Sequence, residues 1–138
     1  MSSGAVSSLL PRRASSAFQA RRQLSVTSEG LVQQLTAEEL EVAIAEREVP
    51  IIIDFFATWC GPCVLLAAEL EKVAEELGDT VRIVKVDTDQ EQALASQLQI
   101  QGLPTVVFVG MDNSKPALRT EGLLGAEVIK NIIEQELS

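Results

Sequence analysis

The sequence has no histidine and no tyrosine, and only two cysteines and one tryptophan in 138 residues. Without imidazole there can be no Ser–His or Cys–His nucleophilic pair, no histidine-based metal site and no imidazole proton shuttle. Two thiols are too few for a disulfide-stapled secreted scaffold, so Cys60 and Cys63 are read as chemistry or metal binding. Long apolar runs are missing as well. The best, residues 49–57 and 104–111, fall well short of the roughly 18 a membrane span needs, and Asp54 interrupts the first. A soluble protein without membrane contact is expected. Acidic residues are absent before Glu29, where Ser and Ala dominate and Arg12, Arg13, Arg21 and Arg22 are the only charges. With no continuous apolar core to serve as a secretory signal, residues 1–28 read as an organelle transit peptide. The alternative is a basic arm that persists and binds polyanions. Composition does not choose between mitochondrion and plastid. Residues 29–138 hold seven basic against 20 acidic side chains, so direct nucleic-acid binding by this part is disfavoured.

Those 110 residues have the size of one domain and show no repeat. Thr36-Ala37-Glu38-Glu39 is a capping-box pattern, and Leu40, Ala43 and Ile44 follow at helical spacing, predicting a helix to about Arg47 that Pro50 ends. Residues 51–56 are β-branched and aromatic at almost every position, as in a central strand covered on both faces. From Gly61, Leu66, Leu70, Val73, Ala74 and Leu77 recur at three and four, and Gly78 supplies a stop. Residues 81–86 predict a strand, followed by a helix with Leu94 and Leu98 that Thr88 or Asp89 could cap. A strand over 105–109, a hairpin partner over 117–121 and a last helix over 126–137 burying Val128, Ile129, Ile132 and Ile133 complete the pattern, with a possible edge strand in 29–35. The order implies an α/β fold, a central mixed sheet with helices on both faces.

Trp59-Cys60-Gly61-Pro62-Cys63 falls where the buried strand gives way to the long helix. That places the first sulfur at a helix N-terminus, where unpaired N–H groups and the macrodipole favour a thiolate. The second thiol, one turn on, is close enough to resolve a mixed disulfide formed by the first. Pro62 costs no hydrogen bond in a first turn, and Gly61 leaves the backbone open to an incoming protein disulfide. Half of a zinc site is the competing reading, but zinc wants four ligands and no further Cys or any His is present. A cluster shared between two chains is the other. Neither metal nor cofactor is expected. Asp54 breaks an otherwise apolar strand, and a buried carboxyl must be neutral or partnered. Six residues before Cys60, it could take the proton of Cys63; the alternative is a carboxyl meeting solvent or a structural lysine, with Lys85 of the next strand the natural partner.

Together WCGPC, Asp54, Lys85 and Gly102-Leu103-Pro104-Thr105 resemble the thioredoxin family over essentially all of residues 29–138. The resemblance implies the thioredoxin fold and a protein-disulfide reductase. In it Cys60 attacks, Cys63 resolves, Asp54 is a buried proton acceptor with Lys85 beside it, and Pro104 is cis. Trp59, Gly61, Pro62, Leu103, Pro104 and Gly122 would form the surface on which a target strand lies. Two departures stand out: Val64 where a lysine usually follows the second cysteine, and Ala68 in place of a helix-kinking proline. Residues 64–71, 83–89 and 119–123 are similar to the thioredoxin z branch of plastids. That similarity implies the chloroplast stroma, with the mitochondrial matrix as alternative. It also implies ferredoxin-thioredoxin reductase or another thioredoxin as electron donor, and the plastid RNA polymerase complex and fructokinase-like proteins as partners. The rival function is a scaffold subunit of that polymerase complex whose redox activity is dispensable.

Overall fold

The computed structural model describes residues 30–137; the expected transit peptide, residues 1–28, lies outside the described residues. The elements are β1 (Gln33–Gln34), α1 (Ala37–Ala45), β2 (Ile51–Phe56), α2 (Gly61–Leu77), a 3-10 turn (Gly78–Thr80), β3 (Arg82–Asp87), α3 (Gln92–Gln97), β4 (Thr105–Val109), β5 (Leu118–Glu121) and α4 (Ala126–Glu136). They build one mixed sheet in the order β1-β3-β2-β4-β5. β3 runs parallel to both β1 and β2, whereas β4 is antiparallel to β2 and to β5. β2 is therefore the middle strand, as its β-branched and aromatic run predicts.

Side-chain alternation along β2 divides the core. Ile52 points to the face covered by Leu66, Leu70 and Val73 of α2 and by Ile129 and Ile133 of α4. Ile51, Ile53 and Phe55 point to the other, where Leu40 and Ala43 of α1 pack and Leu94 of α3 contributes partly. The capping box forms as expected: Thr36 accepts from the Glu39 amide and Glu39 from that of Thr36. α1 stops at Ala45, before Arg47, whose guanidinium turns back to the carbonyls of Ile44 and Gly110.

Two further expectations change. Neither Thr88 nor Asp89 caps α3: the hydroxyl of Thr88 donates to the Phe56 carbonyl, Asp89 accepts from Trp59, and the cap position falls to Glu91. Val128 is not buried but 47% exposed, because α4 turns only Ala126, Ile129 and Ile133 fully inward. Two glutamates of α2 hold neighbouring segments by their amides. Glu69 accepts from Ala126 N, supplying the N-terminal cap that Gly125 cannot. Glu71 accepts from Leu31 N and Val32 N, tying the start of the described chain to the helix.

Candidate active site

The end of β2 delivers Ala57 into a turn, and Cys60 follows in extended conformation as the residue before the first turn of α2. Its Sγ accepts from the Cys63 amide at 3.2 Å, one of the donors a helix start leaves unpaired. A sulfur so placed is stabilised in its anionic form by that N–H and by the helix macrodipole. Cys60 and Cys63 are joined as a disulfide with their Cα atoms 5.3 Å apart, so the structure shows the oxidised state. Both are almost fully buried, packed with Ala57 and, at the edge, Phe56 and Leu103. Pro62 occupies the first turn, where its missing N–H leaves nothing unsatisfied. A side chain at Gly61 would meet nothing within 4 Å, so the approach to the sulfurs from that side is open.

A groove of about 370 Å³ lies beside the disulfide, lined by Trp59, Cys60, Gly61, Pro62 and Leu103 together with Thr88, Ile100 and Gln101. The last three are not singled out by sequence as site residues, Thr88 reading there only as a candidate helix cap. Trp59 is 72% exposed and is held by its indole N–H, which donates to Asp89 Oδ2 at 2.9 Å. The Leu103–Pro104 peptide is cis. Pro104 itself is buried and does not line the groove, nor does Gly122. Gly122 instead donates its amide to the Pro104 carbonyl at 2.8 Å, with a φ of 96° that favours glycine. Its place is to fasten the turn from behind.

Asp54 lies on the face of β2 shared with Ile52, towards α2, and is buried. Its Oδ1 has no hydrogen-bond partner. Burial raises its pKa to about 7, against the attraction of Lys85. Lys85 is directly opposite Asp54 in the β2–β3 register, and its ammonium sits over the Phe56 ring, 5.6 Å from the centroid. Asp54 and Lys85 are thus cross-strand neighbours, with no hydrogen bond reaching Asp54 Oδ1. Among the described residues no group of three His, Cys, Asp or Glu side chains is placed to hold a metal ion, and no helix is long and apolar enough to cross a membrane.

A family model for thioredoxin matches residues 31–135. The chain belongs to the thioredoxin family. Among its curated relatives is the chloroplastic thioredoxin-like protein CITRX of Oryza sativa subsp. indica, 54% identical over 108 residues that make up 78% of this chain and 57% of the relative. The Arabidopsis thaliana protein of the same name is 49% identical over 113 residues, 81% of this chain and 62% of that protein. The chain thus spans less than two thirds of the length of these curated relatives. A crystal structure of chloroplastic thioredoxin z, described as defining a type-specific target recognition, shares 56% identity and superimposes with a TM-score of 0.74 over 75% of this chain and 92% of that one. The thioredoxin of Fasciola hepatica, at 34% identity, gives 0.65 over 76% of this chain and all of its own. The mixed sheet and helix placement described above are therefore those of the thioredoxin fold. Within it, Cys60 and Cys63 form a CxxC pair at disulfide distance.

Proposed function

We propose that this thioredoxin reduces disulfide bonds of target proteins through Cys60 and Cys63. The observation that carries the reading is the Cys60 sulfur seated on the Cys63 amide at the start of α2, at the edge of an open groove. In the reduced enzyme the Cys60 thiolate attacks one sulfur of a target disulfide, forming a mixed disulfide and releasing the other target sulfur as a thiolate, which takes up a proton. Cys63 gives its proton to Asp54 and attacks the Cys60 sulfur, breaking the mixed disulfide so that the target's second sulfur leaves as a thiolate and takes up a proton, and forming the Cys60–Cys63 bond seen in the structure. The two electrons that reduce the target come from the dithiol, and an external dithiol donor must restore them. The pKa of about 7 at Asp54 suits an acceptor that must be empty in one step and filled in the next. Lys85 tunes that carboxyl, and the exposed Trp59 and the groove residues Gly61, Pro62 and Leu103 receive the target strand, with Pro104 and Gly122 shaping the turn behind them.

The names of the relatives support a plastid setting, with residues 1–28 as the import signal, the stroma as destination and ferredoxin-thioredoxin reductase or another thioredoxin as donor. Partners in plastid transcription, namely the RNA polymerase complex and fructokinase-like proteins, belong to the same proposal. Insulin reduction with dithiothreitol as donor tests the chemistry. The wild-type chain should turn over, while Cys60→Ser and Cys63→Ser should each be inactive, and only Cys63→Ser should accumulate a mixed disulfide with insulin. Turnover by Cys60→Ser would refute the assignment of the nucleophile.

A further inference from the structure

The groove has one wall that packs only in part: Leu94 and Ile100 lie against the core on the α1 side without being fully buried. α3 is six residues long, buries no residue fully and has no side-chain cap at its start. The segment after it, residues 98–103, supplies Ile100, Gln101 and Leu103 to the groove. Within that segment Gln99 has a φ of 56°, the only positive value among the described non-glycine residues, so the helix ends in a left-handed residue without the glycine that would make it easy. Polar tethers add to that partial packing and to the backbone bonds of the turn in fixing where the segment sits. At the front, Glu91 accepts from the Ala37 amide at 3.1 Å. At the back, Arg119 reaches from β5, donating Nη1 to the Leu98 carbonyl at 2.7 Å and Nη2 to the Gln99 carbonyl at 2.6 Å. Two parallel donors on two consecutive carbonyls hold both the position and the tilt of the turn, which a single ammonium cannot do. Arg119 also faces carbonyls that a helix end leaves unpaired, where a cation is favoured.

We propose that Arg119 is a positioning residue that sets the 99–103 wall of the groove and thereby the affinity for protein disulfides, without touching the sulfurs. This rests on the reductase reading and names a determinant of target binding at the same site. Arg119 does not line the groove and stands apart from Cys60, Cys63 and Asp54 in the sequence of contacts described. Its removal should therefore act on binding of a strand that lies along Leu103 and leave the electronic state of the dithiol alone.

The test compares Arg119→Ala, Arg119→Lys and the wild-type chain on insulin and on the small disulfide 5,5′-dithiobis(2-nitrobenzoate), with measurement of the dithiol reduction potential. For Arg119→Ala the KM for insulin should rise about fivefold or more with kcat changed less than about twofold. The small-disulfide rate and the potential should match the wild type, and Arg119→Lys should fall between the two. Amide exchange at residues 99–101 should speed about tenfold in Arg119→Ala while that of β2 stays unchanged. An unchanged KM, or a shifted potential or slowed small-disulfide reaction, would overturn the proposal. If the wild type reduces neither substrate, the reductase reading fails on its own account. Exchange then decides the wall alone: faster exchange confined to 99–101 supports the positioning role, and unchanged exchange overturns it.

Discussion

Asp54 shows how one buried side chain couples chemistry to stability. With a pKa raised from 3.8 to about 7, the folded protein keeps a proton that the unfolded chain gives up between those values. The carboxyl therefore costs nothing below about pH 4, and stability falls as pH rises until the full penalty is present above pH 7. A shift of that size corresponds to at most about 4 kcal/mol. Asp54→Asn should accordingly be more stable than the wild type at pH 8 by about 2–4 kcal/mol, with the difference fading towards pH 4, as read by urea unfolding of the oxidised protein. A gain of equal size at both values would locate the effect in packing rather than charge. On the proposed mechanism the same variant should also slow release of the target from the mixed disulfide with Cys60, since Asp54 is there the acceptor of the Cys63 proton. Asp54 was legible in the sequence as an ionisable group inside an apolar run. Lys85 was legible as a lysine of the next strand, and the register that sets it opposite Asp54 was not. The groove residues Thr88, Ile100 and Gln101 were not, because they come together only through the left-handed turn at Gln99 and the chain reversal at Leu103–Pro104, which periodicity does not record.

Elements were legible where local and tertiary preferences agree. The capping box of α1 and the β-branched run of β2 are such places, and the glycine that ends α2 is another: Gly78 has a φ of 54°. Gly78→Ala should cost about 1 kcal/mol in thermal or urea unfolding, since any Cβ is strained there whatever the space around it. Where a partner on another element decides, the sequence alone misleads. α3 lacks the cap its preceding residues promise, because Asp89 is engaged by the Trp59 indole and Thr88 by the Phe56 carbonyl. α4 has isoleucines and a valine spaced for a broad apolar face, yet its seat against α2 and the sheet covers Ile129 and leaves Val128 half open. Ile129→Ala should destabilise by about 3 kcal/mol and Val128→Ala by less than about 0.5 kcal/mol in the same assay. Similar losses for both would mean that α4 is rotated from its described position.

At the scale of the whole molecule, β2 links everything: Ile51, Ile53 and Phe55 build the core under α1 and α3, Ile52 enters the core under α2 and α4, and its end launches the dithiol. The thioredoxin fold was legible because that strand, the WCGPC junction and the order of elements all point the same way. Phe108, fully buried on β4 beside Ile52, is the largest buried side chain of the core between the sheet, α2 and α4, and Phe108→Ala should cost about 3–5 kcal/mol in urea unfolding. A loss below about 1 kcal/mol would show that this half of the core is not closely packed.

The exposed indole at Trp59 has one more consequence. The chain contains no other tryptophan and no tyrosine, so its indole emission originates at a single ring, next to Cys60 in sequence and anchored to Asp89. Opening the neighbouring sulfur–sulfur bond, or laying a peptide across that ring, alters the surroundings of the only emitter. The molecule thus carries a built-in optical gauge, and a stopped-flow fluorimeter can follow its cycle in real time without any dye.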